Sequence, residues 1–133
     1  METRTRRVVG TISLEQEAGD MALTPDGKRL VITEPKHDTV AIMDAANGKR
    51  LASLATPKEP IGIGIMHRAY AIVSVSGSSG LSLLDLSSYR VCDTTTVPDS
   101  TPGLVTVAPD ERSVWVVNQK AQTVLVFEIL KRP

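Results

Sequence analysis

Apolar residues occur along this chain in short alternating runs. "KRLVIT" at 28–33, "AYAIVSV" at 69–75 and "RSVWVV" at 112–117 are six or seven residues long, and Gly, Pro, Asp, Asn and Ser punctuate the gaps between such runs. That is the pattern of β-strands between tight turns. No stretch carries a 3.6-residue apolar stripe over ten residues, so the pattern predicts no helix.

The runs recur at a fixed interval. Pro25-Asp26 and Pro109-Asp110 lie 84 residues apart, which is two periods of 42. "TVAIMD" (39–44), "GLSLLD" (80–85) and "TVLVFE" (123–128) end in Asp44, Asp85 and Glu128, spaced 41 and 43. "AGDMAL" (18–23), "PIGIGI" (60–65) and "PGLVTV" (102–107) keep intervals of 42. Periods of about 40–45 residues belong to propeller blades and to helical repeats. Short strand-like runs select the blade, a four-stranded antiparallel sheet.

The expected fold class is therefore all-β, a β-propeller with about three blades per chain. Inner strands a are predicted at 19–24, 60–66 and 102–108, and strands b at 28–33, 69–75 and 112–117. Strands c fall at 38–44, 80–86 and 122–129, and strands d at 49–55 and 89–96. "RRVVGTISL" (6–14) reads like the strand d "KRLASLA". The chain thus reads as a single unit: a closing strand d at 6–14, blade one at 18–56, blade two at 60–96 and strands a–c of blade three at 102–129.

The stretch "PDGKRLVITEPKHDTVAIMDAANGKRLASLATPKEPIGIGI" resembles the YVTN family of β-propeller repeats. The resemblance covers residues 18–129, closest in the first unit; the second reads "MHRA" (66–69) in place of the "PDG" turn. It implies the propeller fold and no conserved catalytic residues. The family includes relatives of the haem d1 domain of nitrite reductase, but no ligand set transfers to this chain.

Three blades do not comfortably close a ring, since propellers typically have about 4–8. An open arc would leave apolar faces and unpaired edges bare. The expected solution is a head-to-tail homodimer of six blades, in which Arg6–Leu14 of each chain completes the partner's third blade. A trimer of nine blades exceeds the usual range. The alternative is a piece of a longer single-chain propeller.

Composition narrows the partners. Fifteen basic residues balance fifteen acidic ones, and aromatic residues make up 3%. Neither nucleic acid nor a polyelectrolyte partner is indicated. No apolar run is long enough to span a membrane. No apolar leader is visible, which reads as cytoplasmic for the chain as written, or periplasmic or extracellular for a processed form. Cys92 is the only cysteine, so no intrachain disulfide or cysteine-rich zinc site is expected.

Loops at one face of a propeller are its usual binding surface. Here the d–a loops (15–18, 56–59, 97–101) and b–c loops (34–37, 76–79, 118–121) share a face. They supply the candidate binding residues Glu34, Lys36, His37, Lys58, Glu59, Asp99, Asn118, Gln119 and Lys120. The opposite face carries the "TPDGK" and "AANGK" turns, which read as structural. The expected function is a non-enzymatic binding or scaffold module for an unknown protein or small ligand. The alternatives are a propeller holding a metal, haem or quinone, and a surface-layer or adhesive module.

Individual residues fit the binding module better than an enzyme. His37 and His67 fall on opposite faces, so they share no metal. Ser76–Gly80 is a b–c loop without a nucleophile elbow. Cys92 reads as an inert packed or edge thiol. Asp44, Asp85 and Glu128 recur in every blade and read as acceptors in the c–d turn. Trp115 reads as packing between blades, with Val114, Val116, Leu104 and Val107 as companions. Asp20 is the one acid on the channel strands, and a dimer would present two. No catalytic residue, metal ligand or cofactor is expected.

Overall fold

The computed structural model describes residues 6–129. Its first sheet contains β1 (Met21–Leu23), β2 (Arg29–Glu34), β3 (Thr39–Asp44) and β4 (Arg50–Ala55). The second contains β5 (Pro60–Met66), β6 (Tyr70–Val75), β7 (Gly80–Asp85) and β8 (Arg90–Thr96). The third contains β9 (Pro102–Val107), β10 (Ser113–Asn118) and β11 (Thr123–Glu128). In each sheet neighbours in sequence are neighbours in space and run antiparallel. This is a partial β-propeller of three blades, and every strand lies within two residues of its expected place.

Within the single chain Arg6–Leu14 forms no strand. A strand needs a neighbour to satisfy its backbone N–H and C=O groups, and the edge it was expected to join is β11 of a second copy.

Turn chemistry sets the register. In the a–b turn of blade 1, Asp26 Oδ1 accepts from Thr24 Oγ1 at 2.7 Å and from the Lys28 N–H at 2.9 Å. Gly27 supplies the left-handed residue there, at φ 73°. Blade 3 repeats the device: the Arg112 N–H donates to Asp110 Oδ1 at 3.0 Å. In the c–d turns Asp44 Oδ1 accepts from the N–H groups of Ala46 and Asn47, and Asp85 Oδ1 from those of Ser87 and Ser88. Asp44 and Asp85 are thus turn acceptors, as their spacing implied.

Blades pack through alternate residues, so each sheet has a forward face toward the next blade and a back face toward the previous one. The forward face of blade 1 (Val31, Val40, Ile42, Leu54) meets the back face of blade 2 (Ile63, Val73, Val75, Leu84). The forward face of blade 2 (Ile72, Leu81) meets the back face of blade 3 (Val105, Val114, Val116). Inner strands approach most closely. At Gly62 a Cβ would lie 2.5 Å from the Gly103 carbonyl oxygen, so only glycine lets β5 lie against β9.

Two buried hydroxyls bolt the blades together. Thr33 Oγ1 donates to the Ile61 carbonyl at 2.9 Å, from blade 1 to blade 2. Ser74 Oγ donates to the Gly103 carbonyl at 2.6 Å, from blade 2 to blade 3, and accepts from the Gly62 N–H at 2.8 Å. Both stand next to last in strand b; the same place in blade 3 is Val117. On the rim, Arg29 donates to the Leu86 carbonyl at 2.7 Å and lies over the Tyr89 ring, 5.5 Å from its centroid.

Candidate functional site

The d–a and b–c loops do gather on one face, because each d–a loop hydrogen-bonds to the b–c loop beside it. The Gly77 N–H donates to the Lys58 carbonyl and the Ser76 N–H to the Glu59 carbonyl. The Lys58 N–H donates to Ser78 Oγ at 2.9 Å. In blade 3 the Gln119 N–H donates to the Thr101 carbonyl, and Lys120 pairs with Asp99. In blade 1 Lys36 Nζ meets Glu17 at 2.6 Å. These ion pairs hold the Asp99 and Glu17 carboxyls below their ordinary range, each chiefly through the hydrogen bond from its lysine.

The nine candidate residues divide into two groups. Lys36, His37, Lys58, Glu59, Asp99, Gln119 and Lys120 are exposed. Glu34 and Asn118 are buried and do structural work. Asn118 Oδ1 accepts from the Thr101 N–H at 3.0 Å, fixing the last d–a loop. Glu34 accepts from Thr39 Oγ1 at 2.8 Å and pairs with Arg50, Nη2 to Oε2 at 2.9 Å. With its amide turned to face the carboxylate, Gln16 donates to both Glu34 oxygens at 2.9 Å. Burial pushes the Glu34 carboxyl up, but the bonds from Arg50 and Thr39 outweigh it, and the group sits below the usual carboxylate range.

Arg50, Thr39 and Gln16 escaped the sequence reading. They come from three separate stretches, and only the pairing of β2, β3 and β4 brings two of them to Glu34. Asp38 was also missed. Its backbone is left-handed (φ 55°), and its Oδ1 accepts from the Glu59 N–H at 3.0 Å, tying the loops of blades 1 and 2. The same left-handed residue precedes strand c in the other blades, as Ser79 and Gln122. A period-based search for Asp, Asn or Gly there would have found only Asp38.

Asp20, on the channel side, spends its carboxylate on the backbone. Oδ1 accepts from the Met21 N–H at 2.8 Å and Oδ2 from the Ile63 N–H at 3.3 Å. Among the described residues no group of three or more His, Cys, Asp or Glu side chains is placed to hold a metal ion. No helix there is long and apolar enough to cross a membrane.

Trp115 requires a correction. It is half exposed, on the forward face of blade 3. Of its expected companions only Leu104 shares that face. Strand alternation sends Val114, Val116 and Val107 to the back face, against blade 2.

A cleft lies away from the loops, between blades 2 and 3. It measures about 860 Å³ and is lined by Met66, His67, Leu83 and Cys92 of blade 2 and by Glu111, Glu128 and Ile129 of blade 3, among others. A continuation of about 200 Å³ runs between Leu81, Leu83, Asp93 and Thr95 on one side and Phe127 and Ile129 on the other. His67 Nδ1 lies 3.1 Å from Glu111 Oε1, joining blades 2 and 3 at the rim. Cys92 is exposed, and its thiol faces the Arg90 carbonyl at 4.0 Å.

No protein-family model and no curated protein matches the chain. Its fold is nevertheless shared with solved structures. Kuenenia stuttgartiensis hydrazine synthase superposes with a TM-score of 0.82 at 20% identity, over 92% of this chain and 37% of that one. A functionally unknown protein from Desulfotomaculum acetoxidans gives 0.76 at 17% identity, over 89% and 39%. The dihydro-haem d1 dehydrogenase NirN, in complex with DHE, gives 0.70 at 13% identity, over 88% and 27%. The chain therefore spans between a quarter and two fifths of these neighbours' lengths.

Proposed function

We propose that the chain is a YVTN-type, non-enzymatic propeller module that binds a protein or small ligand through its loop face. It would work as a ring of six blades built from two copies. The observation that carries the binding surface is the contrast between faces. The turn face spends Asp26, Asp44, Asp85 and Asp110 on its own backbone. The loop face holds its loops largely through backbone bonds and leaves Lys36, His37, Lys58, Glu59 and Gln119 exposed. Rigid loops with exposed polar side chains suit recognition. The test is a photo-crosslinking amino acid placed at His37 or Lys58, compared with Asn47 on the turn face, in the native cells. Discrete crosslinks from the loop positions alone are expected. Equal labelling from both faces would sink the reading.

A second reading, a propeller that holds a haem-type cofactor, draws support from the likeness to NirN, described with DHE bound. Titration with haem separates the two. The binding module shows no saturable Soret shift, whereas a stoichiometric shift that His37 or His67 substitution removes favours the cofactor reading.

A further inference from the structure

The path of residues 6–17 gives the ring a specific joint. Glu17 pairs with Lys36, and Gln16 reaches Glu34. One period later Glu59 and Lys58 bond the b–c loop of blade 2 at Ser76 and Gly77. Residues 16–17 therefore enter blade 1 as a d–a loop does, although no described blade stands before them. By the same offset of 42, Ile12 corresponds to Leu54 and Gly10 to Ala52, the forward-facing residues of β4. Ile12 indeed rests on the next blade, its Cγ2 being 3.0 Å from where a Gly48 Cβ would stand. So residues 12–17 lie against blade 1 where a strand d and its d–a loop would run, with no described strand c to pair with, while Val8 and Val9 stand clear at 84% and 89% exposed.

The other end of the molecule shows the reverse. β11 is a strand c, and no described residue pairs with its outer edge. The cleft beside it lies between the outer strands of blade 2 and that edge. In blade 2, strand d fills the corresponding space, with Val91 packed on the core shared with blade 1. We propose that the outer edge of β11, with this cleft, is an acceptor site for an extended strand, and that the occupant is Arg6–Leu14 of a second copy. This deepens the ring reading and rests on it. Val9, which is 89% exposed, would enter the cleft while Ile12 kept its place on its own blade 1. The chain cannot serve itself. Sheets stack about 10 Å apart, and two spacings separate the back of blade 1 from β11. Residues 6–11 reach only about 20 Å extended, so none would remain to pair. Exchange between two copies satisfies both edges at once and closes the ring on a twofold axis.

The repeat fixes the register. Ala52 pairs with Ile42 across β4 and β3. Gly10 should therefore face Val126, the counterpart of Ile42, in the second copy. Directly opposed Cβ atoms about 4.5–5.5 Å apart are close enough to be bridged with small adjustment. A Cβ at Gly10 meets nothing within 4 Å, so a cysteine fits there in the free chain. The test is the full chain carrying Gly10→Cys, Val126→Cys and Cys92→Ser, oxidised and run without reductant, beside light scattering of the parent chain. The expected result is a species of twice the 14.3 kDa chain mass, returned to one chain by reductant. A disulfide within one chain, no disulfide, or a ladder of higher species from a dimeric parent overturns the strand exchange and leaves the ring standing. A monomeric parent overturns both. Hydrogen exchange on the unmodified protein covers a triple variant that fails to fold. Amides of Thr123–Glu128 should be protected as strongly as those of β7, and Val9→Pro with Thr11→Pro should release that protection. Free-edge exchange rates along β11 in the unmodified dimer would rule the site out.

Discussion

The two ends of the blade stack present faces of similar composition with different fates. On the back of blade 1, Ile32, Ala41 and Met43 are buried, although no described sheet lies on that side. The chain's own residues 12–17 run past them, held by Gly48 at one end and by Glu34 and Lys36 at the other. On the front of blade 3, Leu104, Trp115, Val117, Val124 and Val126 are between 41% and 61% exposed. Their counterparts in blade 1 include Val31, Val40 and Ile42, all at 0%. Repeat position sets which residues are apolar; what covers the face, a neighbouring sheet or the chain's own residues 12–17, decides whether they are buried. Monomers rarely leave so large a contiguous apolar face open, which is why the ring reading treats the front of blade 3 as half of an interface.

The largest effect should come from placing a charge at equivalent positions of a closed and an open face. Ile42→Asp buries an unpaired carboxylate between blades 1 and 2 and should cost more than about 4 kcal/mol, leaving no cooperative unfolding transition by circular dichroism. Val126→Asp at the matching site of blade 3 should cost a single chain less than about 1 kcal/mol. In the ring it should instead split dimers into folded monomers, read by light scattering with the strand spectrum intact. If Val126→Asp leaves a dimer unchanged, the front of blade 3 is not its interface.

Next comes the ion pair that braces the sealed end. Arg50→Met leaves the Glu34 carboxylate buried with only Thr39 and Gln16 as partners, so a loss of about 3 kcal/mol is expected in urea unfolding. Glu34 has its folded pKa below the unfolded value of 4.5. Its contribution is therefore fully present above about pH 4.5 and fades as the pH falls through the folded value. Between pH 6 and pH 3 the parent should lose more stability than Glu34→Gln does. Parallel pH curves would show that the pair contributes nothing.

The bolts between blades test the middle of the stack. Ser74→Ala strands the Gly62 N–H and the Gly103 carbonyl in a buried contact and should cost about 2 kcal/mol. Val117→Thr restores a hydroxyl at the equivalent place in blade 3 and should shift thermal stability little in a single chain. A rise confined to the dimer would show that a neighbouring inner strand offers that hydroxyl a carbonyl.

Period, strand order and the purpose of the turn acids were legible in the sequence because each is local. Alternation marks a strand, and Asp at a fixed offset marks a turn. The two faces of β10 were not separated, so Trp115 was grouped with Val114 and Val116, which point the other way. Glu34 and Asn118 looked like loop residues because they stand at the ends of strands b, where burial depends on Arg50 and Thr101 from elsewhere in the fold. The state of residues 6–14 was least legible. A strand's identity can be written in its own residues, but its pairing is written in another segment.

The smallest effect concerns a turn in which blade 2 departs from blade 1. Blade 1 makes its a–b turn with Gly27 at φ 73°, whereas blade 2 places His67 and Arg68 there at 49° and 63°. Two consecutive left-handed residues form the kind of turn that favours Asn-Gly, and a side chain with a Cβ at positive φ costs about 1 kcal/mol. His67 recovers part of that cost: its backbone N–H donates to Glu111 at 2.7 Å and its ring faces the same carboxylate. Arg68 is exposed and shows no such bond. Arg68→Gly should therefore raise stability by about 0.5–1 kcal/mol, less whatever the freer unfolded chain gains. His67→Gly should give no such gain, because it removes the ring that faces Glu111 across the blade 2–blade 3 rim. Thermal melts of the two variants side by side check this. Equal gains would mean that the His67–Glu111 contact does not hold blade 3 to blade 2.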